Sequence, residues 1–293
     1  MSENIPAVIV LGSLHYDIVV EDAARPRKGE TVTGKAWWPK CGGKGGNQAV
    51  AVADAGVPCA MIGAVADDDF GRTLLANLDA KGVDRRHVRV AAGGGTGMSV
   101  ALFDSEGDYG AVIVSGANLT LGAGDIAAAA DLFAAARVLV LQNEVPDAAN
   151  AAAASAMKEA GGLVVLNAAP GRLPSPELAA RVDVLVVNAI EAELLAGVAV
   201  VEGLEGARTA AQILARTYPI AVVTAGGAGV AFATAEDQSF AIEAIRVKLV
   251  STHGAGDAFI GALAASLARG VALREALERA NRAAAELVSR PRD

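Results

Sequence analysis

Ser251-Thr252-His253-Gly254-Ala255-Gly256-Asp257 sets a carboxylate directly behind three small residues. The stretch follows an apolar run ending at Leu249-Val250 and opens the Ala/Leu-rich segment 258–268. It therefore reads as a loop that leaves a strand and becomes a helix. The first N–H groups of a helix have no partner within it, and small residues let a ligand come close to them. This predicts an anion site for phosphate oxygens, made by the backbone of Gly254, Ala255 and Gly256. Asp257 stands beside it, where the helix dipole favours the ionised form. An anion hole with a base next to it fits transfer of a phosphoryl group from a nucleotide to a hydroxyl. On this stretch alone, an ordinary helix entry with Asp in its first turn fits as well.

Two further stretches offer ligands. Along Leu14-His15-Tyr16-Asp17-Ile18-Val19-Val20 the alternation puts His15 and Asp17 on one strand face, with Tyr16 and Ile18 on the other. Such a pair could hold a polyol, or simply form an exposed polar face. Cys41-Gly42-Gly43-Lys44-Gly45-Gly46-Asn47-Gln48 leads into a helix expected over 49–55. It is not a Walker-type phosphate loop, because Gly follows Lys44 where Ser or Thr is required. Four glycines in the five positions 42–46 exceed the needs of one tight turn. They predict a ligand loop, with Asn47 supplying both a donor and an acceptor.

The scaffold that must position these residues is an alternating one. Ala7-Val8-Ile9-Val10-Leu11 predicts a buried first strand, and 59–65 a second, followed by a helix over 68–81. No G-x-G-x-x-G follows the first strand, which argues against a dinucleotide oxidoreductase. From 125 onward, helices over 125–135, 147–160, 189–196, 205–216 and 272–288 alternate with strands over 138–141, 163–166, 184–187 and 220–223. That pattern implies a mainly parallel sheet covered on both faces. Ligands of such sheets sit beyond the C-terminal strand ends, where Asn143, Glu144, Asn167, Asn188, Thr224 and Asp257 fall. Runs over 31–39, 86–91, 97–104 and 109–114 predict further strands. The last two form a hairpin turning at 105–108, and a small second sheet with 17–20 and 31–38 follows. Within 31–39 the adjacent Trp37 and Trp38 face opposite ways, and Gly93-Gly94-Gly95 is a hinge or a flexible loop.

Composition narrows the function classes. Of 293 residues 53% are hydrophobic but only 4% aromatic, so the core must be built from Ala, Val, Leu and Ile. Lys+Arg 25 against Asp+Glu 33 gives a net charge of −8 without a basic cluster, which excludes nucleic acid and anionic membranes as partners. Charges or Gly interrupt every apolar run before it could span a bilayer. The N-terminus lacks a basic segment and a cleavage site, and Cys41 and Cys59 have no metal-ligand spacing. The expectation is a cytoplasmic protein with reduced thiols.

Four motifs then occur in one order: GSLHYD at 12–17, GGKGGNQAVA at 42–51, NAIEAE at 188–193 and THGAGDAF at 252–259. With them the chain resembles the PfkB family of carbohydrate kinases, in particular its ribokinase-like branch, over nearly its full length. The resemblance implies a three-layer α/β/α sandwich as a single domain over 1–293, with a small β lid from about 14–41 and 95–115. It also implies ATP-dependent phosphorylation of a sugar hydroxymethyl group, with D-ribose the leading candidate. Alternatives are a nucleoside or other sugar or sugar-acid kinase of the family, and a non-catalytic sugar- or nucleotide-sensing module. By the resemblance Asp257 is the catalytic base, and Gly254, Ala255 and Gly256 form the anion hole. Asn188 and Glu191 organise Mg²⁺ through water, while Thr224, Gly226, Gly229, Gly256 and Asn281 serve the nucleotide. His15, Asp17, Gly43, Lys44, Asn47 and Glu144 face the sugar, and a homodimer forms through the lid. Three departures stand out. Ser251 replaces an Asp that helps bind an activating K⁺, His15 replaces an Asn, and the chain stops at Asp293 where relatives continue toward the cation loop. Weak K⁺ activation and an altered sugar preference are the expectations.

Overall fold

The computed structural model describes residues 5–21, 25–104 and 109–290. The expected turn at 105–108 lies outside the described residues. The strands are β1 (Val8–Leu11), β2 (His15–Glu21), β3 (Ala36–Gly42), β4 (Cys59–Ala66), β5 (Asp84–Ala91), β6 (Met98–Phe103) and β7 (Tyr109–Val114). They continue as β8 (Val138–Gln142), β9 (Leu163–Asn167), β10 (Val184–Asn188), β11 (Ile220–Thr224), β12 (Gly229–Thr234) and β13 (Ser239–Glu243).

Nine strands form one sheet in the order β13-β12-β11-β10-β9-β8-β1-β4-β5. Pairing is parallel from β11 to β5, and the hairpin β12–β13 adds antiparallel strands at one edge. Side chains alternate across this sheet because a strand has a period of two. Ile9 and Leu11 of β1 enter one hydrophobic cluster, Val8 and Val10 the other. Helices Lys44–Asp54, Asp69–Ala80, Ala255–Ala268 and Leu273–Ser289 cover one face; Asp147–Glu159, Ala189–Ala196 and Gly203–Leu214 cover the opposite face. Alanine does much of this packing: Asp147–Glu159 buries Ala149, Ala151, Ala153, Ala154 and Met157. Small side chains bring helix and sheet close together and fill the core without aromatic rings.

The second sheet has the order β3-β2-β6-β7. The chain enters it twice, once after β1 and again after β5. Several expectations shift. The run 86–91, which the sequence assigned to neither sheet, pairs with β4 and extends the large one. Strand β3 starts at Ala36, later than expected; Trp37 is exposed and Trp38 half-buried, so the two rings do face opposite ways. The expected helix over 125–135 is broken at Ala129 into Ala123–Ala128 and Ala130–Ala135. The apolar run before Ser251 forms no strand. There Val250 N donates to Val288 O (2.8 Å), so the backbone is tied to a helix end instead of a neighbouring strand.

Candidate active site

Helix Ala255–Ala268 begins at Gly254, whose φ of 81° is left-handed and cheap only for glycine. The turn aims the first N–H groups of the helix into a cleft. Ala255 N donates to Thr252 O at 3.3 Å, which draws one of the three expected anion donors into the loop. Among the described residues no acceptor meets Gly254 N or Gly256 N, so these two remain for a ligand.

Asp257 lies in the first turn, between two amides. Asn47 Nδ2 donates to its Oδ2 and Gln48 Nε2 to its Oδ1, each at 3.0 Å. Both amides stand there because the glycine-rich stretch is helical. Helix Lys44–Asp54 begins at Lys44, with Gly43 (φ 85°) turning the chain into it, so the expected ligand loop is instead a first helical turn. A Cβ on Gly45 would lie 2.5 Å from Gly12 C, so the repeated glycine serves to seat the helix on the end of β1. Burial pushes the Asp257 carboxyl above its ordinary value; Lys44, Asn47 and Gln48 pull it back, and Glu144 adds to the rise. The expected depression by the helix dipole is thus outweighed by desolvation.

Glu144 follows β8 and gathers residues that the resemblance places toward a sugar. Its Oε2 accepts from Ser13 Oγ and from Lys44 N (2.9 Å), and His15 Nδ1 lies 3.8 Å away. His15 is buried, and its Nε2 has no partner among the described residues. Asp17 Oδ1 accepts from Ser99 Oγ at 2.6 Å. Burial pushes the Asp17 carboxyl up, against Ser99, His15 and Lys40. Ser13 and Ser99 carry no sequence signal of their own; Ser99 reaches Asp17 only through the pairing of β2 with β6.

A cleft of about 130 Å³ is lined by Lys44, Asn188, Glu191, Thr224, Gly254, Gly256 and Asp257, together with Asn167. Asn188 caps helix Ala189–Ala196: its Oδ1 accepts from Glu191 N (2.8 Å), while Glu191 Oε2 accepts from Asn188 N (2.9 Å). This reciprocal capping box occupies one oxygen of each residue and leaves Glu191 Oε1 for other work. Burial pushes the Glu191 carboxyl up, opposed by the Asn188 N–H and by Lys44. Gly226, Gly229 and Asn281 are not among the lining residues. Gly226 opens a short turn after Thr224, and Gly229 starts β12 tight against Ile242 O. Asn281 Nδ2 donates to Glu243 O at 2.8 Å and ties helix Leu273–Ser289 to the end of β13. The Asp257 carboxylate, open helix N–H groups and the Lys44 cation in one cleft suit deprotonation of a hydroxyl next to a phosphate. Gln48, Gln142 and Asn167 form an amide chain behind Asp257; Gln48 was visible in the second motif, but nothing there assigned it a task.

The family model for pfkB family carbohydrate kinases matches residues 6–293. Ribokinase of Mus musculus is 34% identical over 283 residues, covering 95% of this chain and 88% of that protein. Deoxyribokinase of Salmonella typhimurium is 34% identical over 259 residues, covering 88% of this chain and 84% of that protein. The structure of Arabidopsis thaliana ribokinase complexed with ribose and ATP has a TM-score of 0.88 at 31% identity, covering 98% of this chain and 94% of that one.

Proposed function

Since the chain belongs to the pfkB family of carbohydrate kinases, we propose that the cleft around Asp257 is where it phosphorylates a sugar hydroxymethyl group, with ATP as donor and D-ribose as the leading acceptor. The protein is a ribokinase-like phosphotransferase acting on a sugar hydroxyl. The observation that carries the site reading is Asp257, oriented by two amide donors beside the open N–H groups of Gly254 and Gly256. In this reading the acceptor O–H gives its proton to Asp257 as the oxygen bonds to the γ-phosphorus and the bond to the ADP oxygen breaks. Gly254, Gly256 and Lys44 meet the charge on the transferring group. Asp17, Asn47, Glu144 and the backbone at Gly43 hold the acceptor, the small sheet covers it as a lid, and Thr224 marks the nucleotide side. Gly226, Gly229 and Asn281 then act on the nucleotide by shaping the turn and hairpin beyond the cleft.

Mg²⁺ fits these residues. Among the described residues no group of three His, Cys, Asp or Glu side chains forms a cage, and Mg²⁺ in kinases rests mainly on phosphate oxygens and water. Glu191 Oε1, with Asn188 beside it, would hold it through water, and when bound it offsets triphosphate charge. A homodimer through the lid is supported by the exposed Val112, Ile113 and Val114 on edge strand β7 and by Trp37 on the opposite edge strand. Among the described residues no helix is long and apolar enough to cross a membrane. The free Cys41 and Cys59 suit a reducing cytoplasm.

A second acceptor class is favoured by His15, whose buried Nε2 awaits a partner from the ligand, and by the deoxyribokinase relative. Coupled ADP release across ribose, deoxyribose, fructose, ketodeoxygluconate and several nucleosides tests both readings. Fastest turnover on ribose supports the first, fastest turnover on another acceptor the second. Sugar binding without turnover on any of them refutes the catalytic reading.

A further inference from the structure

Resting on the reading of Asp257 as the base, we infer that Gln48 and Gln142 are positioning residues: a relay in which Gln142 fixes the direction of the Gln48 amide and Gln48 thereby holds the Asp257 carboxylate in its working orientation. Both side chains are fully buried, and neither lines the cleft. An amide has a donor end and an acceptor end of nearly the same shape, so its direction depends on its neighbours. Gln48 spends both Nε2 hydrogens, one on Asp257 Oδ1 (3.0 Å) and one on Asn167 Oδ1 (3.1 Å), while its Oε1 accepts from Gln142 Nε2 (2.7 Å).

Asn167 is itself locked. Asn167 Nδ2 donates to Val186 O (3.3 Å), which turns its Oδ1 toward Gln48. Gln142 takes an Asn150 Nδ2 hydrogen bond on its main-chain oxygen (2.7 Å), and its Oε1, which has no partner among the described residues, packs over Gly12, where a Cβ would come within 2.0 Å. If Gln48 turned over, its oxygen would face the Asp257 and Asn167 oxygens, and its N–H groups would face the Gln142 N–H. The oxygen–oxygen mismatches at Asp257 and Asn167 exclude that state inside the core, and the contact with Gln142 adds to them. The carboxylate is thereby held from behind by a group that never meets the substrate. The N–H it receives also favours the ionised form against burial, so the relay bears on proton affinity as well as on direction. Lys44 and Glu144 are the other charged groups that act on Asp257, and the substitutions below leave both in place.

The test compares Gln48→Met, Gln142→Met, the double variant and Asp257→Asn with wild type, measuring kcat, the KM for ATP and the pH profile of kcat with the best acceptor from the panel. Gln48→Met is expected to lower kcat about 10- to 100-fold and to move the acid limb upward by about one pH unit, with the ATP KM held within about twofold. Gln142→Met, which touches neither base nor cleft, is expected to move kcat and the limb in the same direction. Because both act along one path, the double variant loses no more than Gln48→Met alone. Should Met at 142 melt below the assay temperature, Gln142→Glu keeps the side-chain shape and is expected to lose activity as the pH rises through its own ionisation. Unmoved acid limbs in the Gln variants, beside an inactive Asp257→Asn, would overturn the relay and leave the base reading standing. An active Asp257→Asn would instead overturn the base reading, and the relay with it.

Discussion

Replacing Asp257 by Asn removes the proposed base while keeping the side-chain shape, and the surrounding hydrogen bonds dictate how the new amide settles. The carboxylate accepts from Asn47 Nδ2 and from Gln48 Nε2. An amide has one oxygen, so one of these donors must find something else. Gln48 is held by Gln142 and Asn167. Asn47 Oδ1 has no partner among the described residues, so the Asn47 amide turns over and accepts from the new N–H instead. No buried donor is stranded, and the penalty of about 1–3 kcal/mol for an unpaired buried group is avoided. Linkage adds a second sign. The folded-state value of Asp257 is raised above 3.8, so the native protein holds this proton more tightly than the unfolded chain does. Its contribution to stability is complete at acid pH and falls as the pH rises through the raised value. Asp257→Asn escapes that loss. It is expected to melt at or above wild type at pH 7, with the margin closing as the pH falls toward 3.8.

Turnover moves the other way. Loss of a general base costs about 10²- to 10⁴-fold, or about 2.7–5.4 kcal/mol of barrier. Steady-state ADP release, ATP affinity by calorimetry and melting curves across pH read these effects separately. More than about a tenth of wild-type kcat, or a melting point well below wild type at pH 7, would refute the reasoning.

Ser251 offers a neutral hydroxyl, and its Oγ already accepts from His253 N (3.3 Å); KCl titrated against tetramethylammonium chloride at constant ionic strength is expected to give little specific stimulation, and several-fold activation by K⁺ would contradict this. His15→Asn is expected to raise kcat/KM for ribose relative to the best other acceptor, and an unchanged ranking would remove His15 from substrate selection. Gly45→Ala must push helix Lys44–Asp54 off the end of β1, where its Cβ would lie 2.5 Å from Gly12 C; the cost expected in urea unfolding is about 1–3 kcal/mol. Val112→Lys on the exposed edge strand β7 is expected to shift a lid dimer toward monomer in sedimentation, and an unchanged mass would move the interface elsewhere.

The large sheet was legible because β1, β4 and β8 to β11 are short unbroken apolar runs, the signature of strands buried on both faces. Strands β12 and β13 were not, since GVAFAT and SFAIE mix small and polar residues and form only by pairing with each other along the β11 edge. Misreading 42–48 as a loop had one cause. Helix propensity counts Gly45 and Gly46 against a helix, whereas close seating on Gly12 and Leu14 demands them. Residue type and local sequence pointed to Asp257, the strand-end position to Asn188, and the family resemblance to Lys44. Ser99, Gln142 and Asn167 reach their partners across the sheet, through register that no local pattern contains. The capping box of Asn188 and Glu191 is the reverse case: four residues suffice to specify it.

The double entry of the chain into the small sheet constrains the order of assembly. Strand β2 pairs in parallel with β6, bringing together Ser99 and Asp17, which stand 82 residues apart. Between them run helix Lys44–Asp54, β4, helix Asp69–Ala80 and β5, all belonging to the larger body. The cover therefore cannot zip up as a local hairpin. Its central seam must wait until the intervening span has folded and shortened the loop it closes, since contacts distant in sequence are rewarded only after closure entropy has been met. In pulse-labelled hydrogen exchange, amides of the β2–β6 seam should gain protection after those of the β1–β4 pair. The aspartate at position 17 would then take its place only above a base that has already formed.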